Sequence, residues 1–381
     1  MSTIYLEPLL GHCATTQAGE ILQKDNQRHA RAMPMQRLLG GGMDYADAVA
    51  LHGLGARDIS WLEAACALGE RHLANAERAQ AEGLAVTAMA EYRFASACFR
   101  FGHGAIFTDT QQKREVYGRM VSAFADAARL DRLHVQKCAF AYRHGALCAW
   151  LVQPEVTGRW PLVICLGGFD GWREEYFTGA QYLAERGIAT LLLDGPGQGE
   201  ARLVHDLYLD DDYTSAISGV IDQLQEQARF TSFSVWGNSM GGYLAAACAI
   251  VDLRIQACCV NGGTTHPAEI LERFPRFIGK VQAILGLSDP QVAARKLRQF
   301  SILGREHELS CPLLQLHGAP DQIFLLENAR RIHDGASSTD KRLVVWQDGD
   351  HCIYNHSHAK YCELADWFAA RLSSVEDTPI N

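Results

Sequence analysis

Between Ser232 and Ile250 the chain sets an apolar run, a glycine–serine–glycine turn and an alanine-rich segment end to end, with no spacer. Phe233 to Trp236 reads as a strand and Tyr243 to Ile250 as a helix. The turn between them, Gly237-Asn238-Ser239-Met240-Gly241, must redirect the backbone within a few residues. Side chains at 237 and 241 would crowd such a turn, and glycine stands at both. Ser239 falls at the helix N-terminus, where the helix dipole favours developing negative charge. A G-x-S-x-G match is weak alone. Set between strand and helix, it has the context that a nucleophilic serine on a sharp turn requires. The plainer alternative is an N-cap serine in a glycine-rich turn.

The remainder of the chain reads as two regions that meet near residue 131. From about Asp44 to Leu130 the apolar residues recur three and four apart, as in Trp61-Leu62-Ala65-Leu68 and Leu84-Ala85-Ala88-Tyr92-Phe94-Ala95. The helices break at Ala81-Glu82-Gly83, Phe101-Gly102-His103-Gly104 and Asp109-Thr110. No fixed period emerges, so residues 1–131 are expected to form a helical cap rather than a repeat array. The apolar stripes need a partner surface, and the cap is expected to cover the reactive edge of the second region.

Residues 132–381 are expected to form the catalytic domain, an α/β fold with a mostly parallel, doubly wound sheet. His134 to Tyr142 and Ala146 to Val152 suit paired strands joined at Arg143-His144-Gly145, with Gly145 free to take φ > 0. Strands are further predicted at Pro161–Cys165, Ile188–Leu193, Ser232–Trp236, Ile255–Val260, Leu313–Leu316 and Arg342–Trp346. Helices are predicted at about Glu174–Arg186 and Tyr213–Ala228. The stretch 263–310 is too long for a simple connection, so a helical insertion is expected over the C-terminal edge of the sheet.

A serine hydroxyl needs a base, and the base needs an orienting carboxylate. After Ser239, Leu314-Gln315-Leu316-His317-Gly318-Ala319-Pro320-Asp321 reads strand, turn, aspartate. The next strand runs into Gln347-Asp348-Gly349-Asp350-His351. Asp321 and His351 therefore both follow strand ends, as the acid and the base should. His356 and His358 are rivals for the base, and Asp348 and Asp350 for the acid. The plainer readings are a turn aspartate and a surface histidine. No ligand pair here has recognised zinc spacing, so no metal is expected.

Two backbone N–H groups are needed to hold an oxyanion. Met240, directly after the serine, supplies one candidate. The glycine-rich loop Cys165-Leu166-Gly167-Gly168-Phe169-Asp170-Gly171 supplies the other, with Phe169 first and Gly168 second. Asp194-Gly195-Pro196-Gly197-Gln198-Gly199-Glu200 follows another strand but fits neither the dinucleotide nor the P-loop pattern, so it is read as a shaping loop and no cofactor is expected.

Together, Gly167-Gly168-x-Asp170, the Asp194–Glu200 loop and Gly237-Asn238-Ser239-Met240-Gly241-Gly242 resemble one branch of the α/β-hydrolases. That branch contains 2,6-dihydroxypseudooxynicotine hydrolase and fungal hydrolases that shorten polyketide pigment precursors. The fermentation-respiration switch esterases look related. The resemblance spans about residue 134 to 372 and implies the α/β-hydrolase fold. It further implies cleavage of a carbon–carbon bond beside a carbonyl, in a β-diketone-like or polyketide-like small molecule. A carboxylesterase is the alternative. From another class, so is a fold that has lost activity and holds a ligand.

The formal net charge of −9 argues against nucleic acid and anionic membranes as partners. The partner expected is a small-molecule carbonyl substrate; a homodimer is compatible with the sequence. The N-terminus lacks a basic segment followed by an apolar run, and none of the 12 cysteines forms a C-x-x-C pair. The expected compartment is the cytoplasm.

Overall fold

The computed structural model describes residues 17–55 and 57–372. The chain divides into two compact units, one up to Asp131 and one from Arg132. The first is helical: α1 (Gln17–Ala32), α2 (Met35–Gly40), α3 (Tyr45–His52), α4 (Trp61–Ala81), α5 (Ala85–His103) and α6 (Gln111–Leu130). A capping box between Ser60 and Glu63 starts α4, and the Thr110 hydroxyl caps α6. The glycine breaks end α4 and α5 where the sequence places them. These two helices meet at Gly69, where a Cβ would stand 2.5 Å from the Phe99 ring, so no larger residue fits. Trp61, Leu68, Cys98 and Phe101 fill part of the core, and the Trp61 indole N–H donates to the Phe101 carbonyl at 3.0 Å.

The second unit is built on eight strands: β1 (His134–Tyr142), β2 (Gly145–Gln153), β3 (Trp160–Leu166), β4 (Ala189–Asp194), β5 (Phe230–Asn238), β6 (Ile255–Asn261), β7 (Leu313–Gly318) and β8 (Lys341–Trp346). Their order is β1-β2-β4-β3-β5-β6-β7-β8. β2 runs antiparallel to both neighbours, and the pairs from β4 to β8 are parallel. The continuous apolar runs are strands buried on both faces: every residue of β4 and β7 is buried.

One local expectation is corrected. In the β1–β2 turn it is Arg143, not Gly145, that takes positive φ, at 50°. Glycine is needed at 145 for space, since a Cβ there would lie 2.8 Å from the Cβ of His205.

Helices α7 (Phe177–Ala184), α8 (Gly199–Leu203), α9 (Tyr213–Gln225) and α10 (Met240–Val251) connect the central strands. After β6 come α11 (Glu269–Arg273), α12 (Ile278–Leu285) and α13 (Pro290–Leu297), then α14 (Leu326–Gly335) after β7 and α15 (Ser357–Leu372) at the end. The crossover from β3 to β4 runs one way along the sheet and that from β5 to β6 the other, so right-handedness puts α7 and α10 on opposite faces. The order reverses around β3, the position at which ligand sites form at the C-terminal ends of the strands in such sheets. The loops after β3 and β5 meet there: a Cβ on Gly168 would stand 2.8 Å from that of Ser239. Asp170 of the first loop is ion-paired with Lys280 of α12, and Phe169 packs edge-on against Phe277 at 5.2 Å. The helices after β6 therefore reach the loop after β3.

Candidate active site

The turn at Ser239 leaves no room for a side chain on either flank. A Cβ on Gly237 would overlap the carbonyl of Gly241, and one on Gly241 would overlap that of Leu166. Ser239 itself takes φ 59°, ψ −126°, a conformation that costs a non-glycine residue about 1–3 kcal/mol. The surroundings hold it there. Its N–H donates to the Asn261 carbonyl at 2.9 Å, and its carbonyl accepts from Gly242 N–H at 2.8 Å.

Asp321 and His351 converge on this serine. His351 Nδ1 donates to Asp321 Oδ2 at 2.8 Å, and the Ser239 hydroxyl donates to His351 Nε2 at 2.8 Å. The Asp321 side chain is fully buried. Its second oxygen accepts from Ile323 and Phe324 N–H at 2.8 and 3.3 Å, which fixes its plane. Burial pushes its carboxyl pKa up, but His351 and these N–H groups outweigh that and hold it below the usual range. For His351 burial pushes downward, yet the Asp321 carboxylate wins and holds the imidazole well above its ordinary value. The pair thus favours a proton on the ring once one is delivered.

The loop after β3 lies against the serine. A Cβ on Gly168 would stand 3.1 Å from Ser239 Oγ. Gln198, from the Asp194–Glu200 loop, donates its amide to the carbonyls of Gly167 and, at 3.2 Å, of Gly168. In a trans peptide the N–H points opposite to the C=O. Turning these two carbonyls toward Gln198 therefore turns the N–H groups of Gly168 and Phe169 the other way. Met240 opens α10, where the first N–H groups have no intrahelical acceptor. Gln198 went unnoticed in the sequence as a site residue, although the unusual loop that carries it was the signal available.

Residues 161–286 match the family model described as the alpha/beta hydrolase fold. The chain is 29% identical over 345 residues to 2,6-dihydropseudooxynicotine hydrolase of Paenarthrobacter nicotinovorans, covering 87% of this chain and 89% of the relative. It is 27% identical over 342 residues to Hydrolase LUC6 of a Fusarium species, covering 76% and 81%. The crystal structure of 2,6-dihydroxy-pseudo-oxynicotine hydrolase superposes with a TM-score of 0.79 at 27% identity, covering 88% of this chain and 95% of that one. The chain is an α/β-fold hydrolase.

In this hydrolase the rival residues are engaged elsewhere. His356 pairs with Asp348 at 2.9 Å, and His358 accepts from or donates to the Tyr182 hydroxyl at 2.7 Å. Asp350 accepts from the N–H groups of Tyr354 and Asn355 and so caps the turn that follows His351. That turn is strained: Cys352 and Ile353 are both left-handed, at φ 60° and 57°. Asn261, at the end of β6, donates to Asn238 Oδ1 at 2.8 Å and to the Cys352 carbonyl at 3.2 Å. It ties the strand before the serine to the turn after the histidine, a role with no signature in sequence.

Among the described residues, one group has metal-ligating side chains close together: Asp47, His72 and Cys98 of the hydrolase's helical unit. Their contacts are those of an ion network. His72 Nε2 lies 2.5 Å from Asp47 and Nδ1 lies 2.6 Å from Glu91, while Arg71 takes the other Asp47 oxygen at 2.7 Å. A protonated imidazole and a guanidinium already balance the two carboxylates. No described helix is long and apolar enough to cross a membrane.

Proposed function

We propose that the enzyme is a serine hydrolase that works through an acyl-enzyme, with Ser239 as nucleophile, His351 as base and Asp321 as the acid that orients it. The observation that carries this is the continuous hydrogen-bonded line Ser239–His351–Asp321, with both links at 2.8 Å. Ser239 Oγ attacks the substrate carbonyl as its proton passes to His351 Nε2. The N–H of Met240 and that of Phe169 or Gly168 receive the oxyanion. The carbon–leaving-group bond then breaks and His351 protonates the departing group. Water, deprotonated by the same imidazole, releases the acyl group and restores the serine.

For the bond cleaved we favour carbon–carbon beside a carbonyl, in a β-diketone-like or polyketide-like molecule; this rests on the family resemblance. Such a leaving carbanion must be stabilised as an enolate, whereas an ester's alkoxide leaves once protonated. Comparing kcat/KM for a 1-aryl-1,3-diketone and the matching aryl ester decides the matter. Preference for the ester, with no acid and methyl ketone from the diketone, assigns a carboxylesterase. A fluorophosphonate probe that fails to label Ser239 in the folded protein assigns a ligand-binding protein instead.

The helical unit is assigned the part of a cap, on the strength of its apolar stripes. Deleting residues 1–130 is expected to cost selectivity; a monomeric truncated protein with full activity overturns that role. The 11 described cysteines are free thiols, which supports the cytoplasm as the compartment.

A further inference from the structure

The backbone just after His351 is strained. Cys352 (φ 60°, ψ 13°) and Ile353 (φ 57°, ψ 45°) are consecutive left-handed residues, neither is glycine, and Ile353 is β-branched. Both are buried. Such a conformation persists only where neighbours over-determine it. Here one neighbour is unusual. Lys360, in the first turn of α15, is 2% exposed, and its ammonium donates to the Cys352 carbonyl at 3.1 Å. Asn261 donates to the same oxygen at 3.2 Å. The ammonium also sits 4.8 Å from the centre of the Tyr354 ring and 4.3 Å from that of Tyr361. Burial lowers the pKa of Lys360 to about 8, so the protein tolerates an unfavourable group at this point.

Holding the Cys352 carbonyl fixes the peptide plane one residue beyond the His351 Cα. His351 makes 2.8 Å contacts on both ring nitrogens, and a displacement of about 1 Å in such a pair can slow a reaction about 10²-fold. We infer that Lys360 is a positioning residue: with Asn261 it grips the Cys352 carbonyl, keeps the left-handed turn in place and so holds His351 in line between Asp321 and Ser239. This rests on the proposed role of Ser239 and His351.

The test uses the full chain as wild type, Lys360→Met and Lys360→Gln. Three quantities are read: the rate and half-saturation of fluorophosphonate labelling at Ser239, the low-field proton resonance of the His351–Asp321 hydrogen bond, and Tm. Methionine keeps the length of the stem but removes charge and donor, and an apolar replacement for a buried charge often leaves stability equal or higher. The expected result for Lys360→Met is labelling slowed about ten-fold or more, half-saturation unchanged, the resonance weakened and Tm not lowered. Lys360→Gln, which retains an N–H donor, is expected to recover part of the rate. Wild-type labelling in Lys360→Met overturns the inference. So does a Lys360→Gln rate no better than that of Lys360→Met. Should Lys360→Met fail to fold, wild-type labelling and an unaltered resonance in Lys360→Gln overturn it if the amide cannot reach the carbonyl in that variant's structure; a slowed, weakened Lys360→Gln supports it. A wild-type chain that takes no label defeats the nucleophile assignment itself, and this inference with it, before any variant is compared.

Discussion

Gly168 and Ser239 touch: a Cβ placed on Gly168 would stand 2.8 Å from the Cβ of Ser239. The two residues come from different loops, after β3 and after β5, and on the proposed mechanism the substrate carbonyl must sit beside both. We expect Gly168→Ala to slow Ser239 labelling about 10²–10³-fold, the scale of losing an oxyanion donor. Tm should fall as well, because the added methyl would also stand 3.1 Å from the buried Asn238 carbonyl. Stopped-flow labelling beside thermal unfolding checks both halves.

On the proposed mechanism Ser239→Ala and His351→Ala should each remove turnover by about 10³-fold or more, because the three residues would act as a unit. Asp321→Asn should be severe but milder than either. Asp350→Asn should weaken the turn after His351 without abolishing turnover, since Asp350 accepts from backbone N–H groups rather than from the ring. A neutral Asp321→Asn beside an inactive Asp350→Asn would reverse the assignment of the acid.

His351 must be unprotonated to accept the Ser239 proton. The Asp321 carboxylate holds its pKa well above 6.5, against the downward pull of burial. Labelling should therefore rise with pH along a limb that lies above pH 6.5. Asp321→Asn removes the carboxylate and should move that limb to lower pH. A limb below 6.5 in the wild type would contradict the dominance of the Asp321 carboxylate over burial.

The helical unit should respond to pH through His72. Burial lowers its pKa, but Asp47 and Glu91 outweigh this and raise it above 6.5. A folded-state pKa above the unfolded value stabilises fully below pH 6.5, and the gain is lost as pH rises through the folded value. For this reason Tm should fall as pH rises above 6.5. In His72→Gln, with Arg71 still bonded to Asp47, the slope should flatten. An equal slope in both proteins would remove His72 from the account.

The order of strands and helices after residue 131 was legible because its signals are local. Apolar runs of four to six residues can hardly be anything but buried strands when glycine turns and helical periods separate them. The same holds at Gly237 and Gly241, where the turn's own geometry excludes a side chain. Local reading erred at Gly145, where the demand for glycine comes from His205, about sixty residues away in sequence.

What the sequence determined by itself is therefore the α/β alternation, the strained serine turn, and the positions of Asp321 and His351 just past strand ends. The tertiary structure alone decided which of the neighbouring acids and histidines meet. Asp321 lies 30 residues from His351 yet bonds to it, whereas Asp350 is adjacent and turns its carboxylate to the backbone. It also decided the parts of Gln198, Asn261 and Lys360. Their side chains act on carbonyl groups of distant loops, and a carbonyl carries no residue identity for a sequence to display.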